Sequence, residues 1–416
     1  MTHYSAIVVG GGQAGLSASY YLQQQDIDHL VLEKHSLTHT WRNQRWDNFC
    51  LVTPNWQCAL PGHPYDGPDP HGFMRKADII AYLDAFIAKV QAPVREGVTV
   101  QRLVTRPEGG YRLDTSAGEF SADQVIVASG GYHTPIIPRL AERLPASIVQ
   151  LHSEQYRNAE TLPPGAVLVV GSGQSGAQIA EDLHLAGRQV YLAVGDAPRC
   201  ARHYRGKDVV DWLAEMGYYE IGVDTHPLRE GVRDNTNHYV TGRDGGRDID
   251  LRRFALEGMQ LFGRLNGLEG EVLTFSADLA AKLDAADAVY NRINASIDQY
   301  IAQNSIDAPP GAPYEPLWRP EGLPTTLDLG SAGITSVIWC IGFQPDFSWV
   351  DVPVFNGRSY PGHTRGVTAQ PGLYFLGLPW LHTWGSGRFS GVARDAEYLV
   401  AQLSRLAVLK QGSRQL

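Results

Sequence analysis

Gly10, Gly12 and Gly15 stand at the spacing Gly-x-Gly-x-x-Gly, in the run Gly10-Gly11-Gly12-Gln13-Ala14-Gly15. Glu33 and then Lys34 follow roughly 20 residues on. Residues so spaced can hold a pyrophosphate. Gly10 lets the chain turn tightly, Gly12 leaves room for phosphate against the backbone, and Gly15 lets a helix pack close to a sheet. Free N–H groups and the positive end of the helix dipole then meet the anion. A carboxylate at Glu33 is placed to bond the hydroxyls of an adenosine ribose. The pattern recurs complete in Gly171-Ser172-Gly173-Gln174-Ser175-Gly176. There the acid is missing: Val194 and Gly195 stand in its place, Asp196 comes two positions late, and Arg199 and Arg202 come just after. A lost carboxylate with arginines nearby suits a 2′-phosphate, hence NADP rather than NAD. The plainer alternative makes those arginines solvated loop charges.

The elements needed to position both loops are legible. Ile7-Val8-Val9 reads as a strand, residues from Leu16 to Leu22 as a helix, and Leu30-Val31-Leu32 as the next strand. Around the second loop, Val167–Val170, the helix through Leu185 and Val190–Val194 repeat the order. Val125-Ile126-Val127 is a buried strand running into the small-residue turn Ala128-Ser129-Gly130, and Val337–Ile341 runs likewise into Gly342-Phe343. Such turns, at carboxyl ends of strands, are where an open α/β sheet takes its ligand. Helices are expected over Arg75–Val90, Ala277–Gln303 and Val392–Leu409. The stretch from Cys200 to about Pro324 exceeds a minimal nucleotide-binding unit and suits a substrate lid or a dimer arm.

Two fingerprints in one chain imply two dinucleotides, a flavin in an outer domain and a nicotinamide in an inner one. The fold expected is α/β with two nested Rossmann-like domains. Residues 1–160 and 329–416 make the FAD-binding part, and 161–328 the NADPH-binding domain with its helical insert. With 416 residues, 43% hydrophobic and 19% charged, the chain can bury a large core. A net charge of −9 without a basic run disfavours nucleic acid and anionic membrane. Cys50, Cys58, Cys200 and Cys340 form no Cys-x-x-Cys pair, so neither a redox disulfide nor a metal knuckle is indicated. No signal or transmembrane pattern is evident, and a cytoplasmic protein is expected.

These residues, with Trp41-Arg42, the segment Asp47–Pro54 and Cys340-Ile341-Gly342-Phe343, resemble the single-component flavin-containing monooxygenases. That class includes YUCCA-type enzymes and the related Baeyer–Villiger monooxygenases. His152-Ser153-Glu154-Gln155-Tyr156 looks like half of the family signature, whose Phe-x-Gly half is replaced by Ala146-Ser147-Ile148. The resemblance implies FAD, NADPH, O₂ and a small-molecule substrate in a homodimer. It implies a flavin C4a-hydroperoxide that oxygenates nitrogen or sulfur, with Tyr156 in place of Trp arguing against ketone oxidation. It puts Trp41, Arg42, Ser129, Gly130, Gly342 and Phe343 beside the cofactors, and makes Asn55 the candidate beside the flavin. A loop asparagine taking up a turn is the alternative for Asn55, and an interdomain hydrogen bonder the alternative for His152. The rival functions are a disulfide or ferredoxin-type reductase, a Baeyer–Villiger enzyme, and a flavoprotein that senses redox state without turnover.

Overall fold

A computed structural model describes residues 2–357 and 360–414. Two sheets organise them. In the larger, Thr2–Val9 lies at the centre, parallel to His29–Leu32 on one side and to Gly118–Val127 on the other. Leu373–Phe375 pairs parallel with Val125–Val127, so strands from both ends of the chain build this sheet. The register aligns Val9 with Leu32 and Val127, and Val127 with Phe375. Gly10, Ala128 and Leu376 therefore leave the sheet at one carboxyl edge. An antiparallel meander, Val100–Thr105, Tyr111–Thr115 and Gly118–Val127, extends the far side. The alternation of buried and less buried residues along Tyr111–Thr115 is that of a strand with one face on the core.

The second sheet is parallel throughout, in the order Val149–His152, Ile334–Trp339, Ala166–Val170, Val190–Ala193, Gln260–Phe262. All five residues of Ala166–Val170 are buried, as a central strand covered on both faces requires. The boundaries expected at 160 and 328 fall inside this sheet. Its edge strand begins at Val149, and the strand beside Ala166–Val170 runs on to Trp339. Each of those strands pairs with the second sheet and not the first. Where the chain passes between the sheets, Thr134–Pro135 and Phe343–Gln344 pair antiparallel as a short ribbon.

The helices match their periodicity closely, at Gln13–Gln24, Lys76–Val90, Gln174–Leu185, Leu279–Gln303 and Val392–Arg414. Leu16, Leu83, Phe86, Val392 and Leu399 join one core on the larger sheet. Trp46 reaches across into the core of the second, among Tyr156, Ala177 and Ile338. The long helix Leu279–Gln303 turns Tyr290, Ile297 and Ile301 onto Ala201, Val209 and Trp212, so the insert packs largely upon itself. Among the described residues no helix is long and apolar enough to cross a membrane.

Candidate functional site: two glycine loops and the crevice beside them

The two loops are copies of one geometry. Gly10 has φ +116°, and a Cβ there would sit 2.5 Å from the Ala128 carbonyl. Gly171 has φ +99°, and a Cβ would sit 2.5 Å from the Cys340 carbonyl. A Cβ on Gly15 would meet the Gly10 carbonyl at 1.8 Å, and one on Gly176 the Gly171 carbonyl at 1.9 Å. Only glycine fits these four positions. Gly12 and Gly173 are different. A Cβ on Gly12 would meet nothing within 4 Å, and one on Gly173 only the Thr236 methyl at 3.9 Å. Both are helix N-caps without side-chain caps, so each helix start presents bare N–H groups to open space. That is the shape a pyrophosphate needs.

The loops differ in how the neighbouring strand end is tied. The Glu33 carboxylate accepts from Gly11 N–H at 2.6 Å and from His35 N–H at 2.7 Å, which holds it at the mouth of the first loop. At the second loop the Ser172 hydroxyl accepts from Gly195 N–H at 2.9 Å and takes over that tie. Lys34 follows Glu33 at this end and is exposed.

Gln13 and Gln174 brace the helix starts, donating to Gly387 O at 2.9 Å and Val240 O at 2.7 Å. The Trp41 indole donates to Gln13 Oε1 at 3.1 Å and stacks on Phe389 at 5.0 Å. Ala14 is buried and Ser175 exposed at the start of their helices. Ser129 and Gly130 follow Gly118–Val127, and Gly130 turns at φ +77°. His133 links this turn to the opposite crossing, with Nε2 on Ser129 O at 3.2 Å and Nδ1 accepting from Asp346 N–H at 2.7 Å. His152 Nε2 bonds Gly342 O at 3.0 Å while its ring meets Phe343 edge-on at 4.6 Å. The hydrogen-bonding alternative for His152 is the one its contacts display.

Four candidate residues are engaged by partners within the protein. Arg199 is buried between Tyr290 and Tyr314, 3.0 Å from Asp287 and 3.5 Å from Asp250. Arg202 is buried on Asp208 at 2.6 Å and Val52 O at 2.7 Å. Neither guanidinium is free for a 2′-phosphate, because buried arginines need their carboxylates. The cation beside Asp196 is Lys282, from the long helix, which also lies 3.4 Å from Asp278. Arg42 pairs with Asp84 and bonds the Thr38 hydroxyl. The Asn55 amide donates to Asp69 O at 2.9 Å and accepts from Met74 N–H at 2.8 Å, so it closes its own loop as a turn asparagine does.

Asp182, on the helix of the second loop, collects three partners from separate segments. Tyr156 OH donates at 2.7 Å, Arg243 at 2.6 Å and Asn48 at 2.9 Å. Burial, then the charge of Asp182, pushes the Tyr156 phenol up, so it stays a donor. Nothing in the linear order announces this network, whose members are scattered along the chain. The four cysteines are unpaired, and burial pushes the Cys58 and Cys200 thiols up to about 12.

Residues 7–216 match the pyridine nucleotide-disulphide oxidoreductase family. An uncharacterized CzcO-like oxidoreductase of Geobacillus kaustophilus is 31% identical over 95% of this chain and 96% of its own. The indole-3-pyruvate monooxygenase YUCCA1 of Oryza sativa is 31% identical over 43% of this chain and 44% of its own. A flavin monooxygenase from Stenotrophomonas maltophilia superposes with a TM-score of 0.67 at 20% identity, over 98% of this chain and 100% of that one. Such relatives imply a flavin and a pyridine nucleotide as cofactors of an oxidoreductase. With its paired glycine loops, this chain belongs to the pyridine nucleotide-disulphide oxidoreductase family.

Proposed function

We propose that this protein is a FAD- and NADPH-dependent monooxygenase that oxygenates a small molecule at nitrogen or sulfur. One observation carries the reading: two glycine loops of the same shape, each at the carboxyl end of its own set of parallel strands and each open above its middle glycine. The proposed arrangement is nested, with the FAD unit formed from both chain ends around the NADPH unit. Gly10, Gly12, Gly15 and Glu33 hold FAD, and Gly171, Gly173 and Gly176 hold NADPH. A bound flavin supplies the oxygen-activating chemistry, fed with two electrons by NADPH.

The chain's own residues position, fasten and exclude water. Gln13 and Trp41 fix the wall beside the first helix start. His152 holds the Gly342 turn. Lys282 takes the place of the two buried arginines as the cation for a 2′-phosphate, exchanging its pairing with the solvent-exposed Asp196 for the phosphate. Lys282→Met is expected to weaken NADPH binding roughly tenfold, the worth of one charged hydrogen bond, and to leave NADH binding nearly unchanged. Stopped-flow reduction with both nucleotides measures this, and an equal loss for both removes Lys282 from that role.

A thiol–disulfide reductase needs a reactive thiolate, and thiols raised by burial argue against it. The four unpaired cysteines also fit a reducing cytoplasm. The test of the whole reading is direct. Purified protein should be yellow, bleach with NADPH without air, and in air consume NADPH faster with an amine or thioether. Product analysis with a ketone separates the Baeyer–Villiger alternative. Colourless protein that refuses added FAD overturns the reading.

A further inference from the structure

Arginines deep in this protein are neutralised by acids: Arg199 by Asp250 and Asp287, Arg202 by Asp208, Arg252 by Asp284 and Asp287. Two others are not. Arg45 lies over the faces of Trp41 at 4.9 Å and Phe49 at 5.6 Å, and donates once, to Gln44 O at 2.8 Å. Arg388 lies over Trp384 at 4.0 Å and donates to Trp384 O and to Asn237 Oδ1, the latter at 2.8 Å. Among the described residues neither guanidinium has a carboxylate oxygen within 4.0 Å. Both residues are half-buried.

The two belong to one wall. Trp41, under Arg45, stacks on Phe389, the neighbour of Arg388, and Gln13 bonds both Trp41 and Gly387. Tyr132, exposed to solvent, is near enough to act electrostatically on both. Tyr219 packs against Trp384 at 4.7 Å, so the surroundings of Arg388 are aromatic too. Burial pushes the Arg45 guanidinium down to about 10 and lowers that of Arg388, yet both stay charged at neutral pH. Five N–H donors each, mostly unspent, and flat aromatic walls suit a planar anion.

We propose that Arg45 and Arg388 clamp the carboxylate of an organic-acid substrate, with its apolar body against Tyr132, Tyr219 and Trp384. This rests on the monooxygenase reading. The wall is fastened to the first glycine loop, while the second loop has its own helix start for the nucleotide phosphates. A carboxylate is therefore favoured over the phosphates of NADPH as the bound oxyanion.

The test uses the FAD-loaded chain. Phenylpyruvate, phenylacetate and benzoate, each beside its methyl ester, are titrated by calorimetry and by quenching of tryptophan emission, to which Trp41 and Trp384 contribute. At least one acid should bind at millimolar concentration or below, and its ester should not. Arg45→Met and Arg388→Met should each weaken the acid roughly tenfold or more, as loss of a charge-assisted hydrogen bond does. Affinity for NADP⁺ should stay the same. Arg45→Lys and Arg388→Lys keep the charge, and circular dichroism with FAD content guards against misfolding. The clamp is overturned if NADP⁺ affinity falls instead, if esters bind as well as acids, or if none of the three acids binds. A yellow protein reduced by NADPH that ignores acids loses this inference alone. A chain that takes no flavin loses the monooxygenase reading first.

Discussion

At the scale of single residues, the middle glycines and the last glycines of the two loops make opposite demands. Gly173 faces open space and Gly176 faces the Gly171 carbonyl. Gly173→Ala should therefore fold normally yet bind NADPH roughly tenfold more weakly, because a methyl stands where phosphate must approach. Gly176→Ala should lose soluble yield altogether. Melting curves and nucleotide titration separate the two, and equal behaviour would sink the distinction. Histidines set the acid limit. His363 Nδ1 accepts Gly366 N–H at 3.2 Å, and burial pushes its pKa from 6.5 to about 4. His133 also accepts through Nδ1, and burial lowers it too. The unfolded chain takes these protons first as pH falls, so stability should drop from about pH 6.5 down to about 4. Thermal melts across that window check the sign, and His363→Gln should flatten part of the slope.

At the scale of elements, legibility followed periodicity. Strand, glycine loop and helix recur twice at the expected positions because alternation and the 3.6-residue repeat are local properties. The long helix expected from Ala277 begins at Leu279. The roles of Arg199 and Arg202 could not be read: Asp250 and Asp287 lie tens of residues from Arg199, and Asp208, though only 6 positions from Arg202, meets it through a turn that no motif announces. Arg45 and Arg388 carry no motif and meet only through Trp41, Gln13 and Phe389. Asp182 is the same kind of case, and its network ties the helix after the second loop to Asn48 beside the first sheet. Tyr156→Phe removes one donor from a buried carboxylate and should lower stability by about 1–3 kcal/mol. Urea unfolding measures it. A change under about 0.5 kcal/mol would show that Arg243 and Asn48 suffice, since surface-like substitutions stay within that range.

At the scale of the whole molecule, two sheets meet across Trp46, Asp182 and His133. The chain crosses between them at Thr134–Pro135 and Phe343–Gln344, and these two passages are bonded side by side. Passages lying together act as a hinge pin rather than as opposed struts. A rotation about that line would leave the ladder bonds of both sheets intact. The Asp182 cluster would be one of the ties resisting it, beside Trp56 on Asp211 and Arg202 on the Val52 carbonyl.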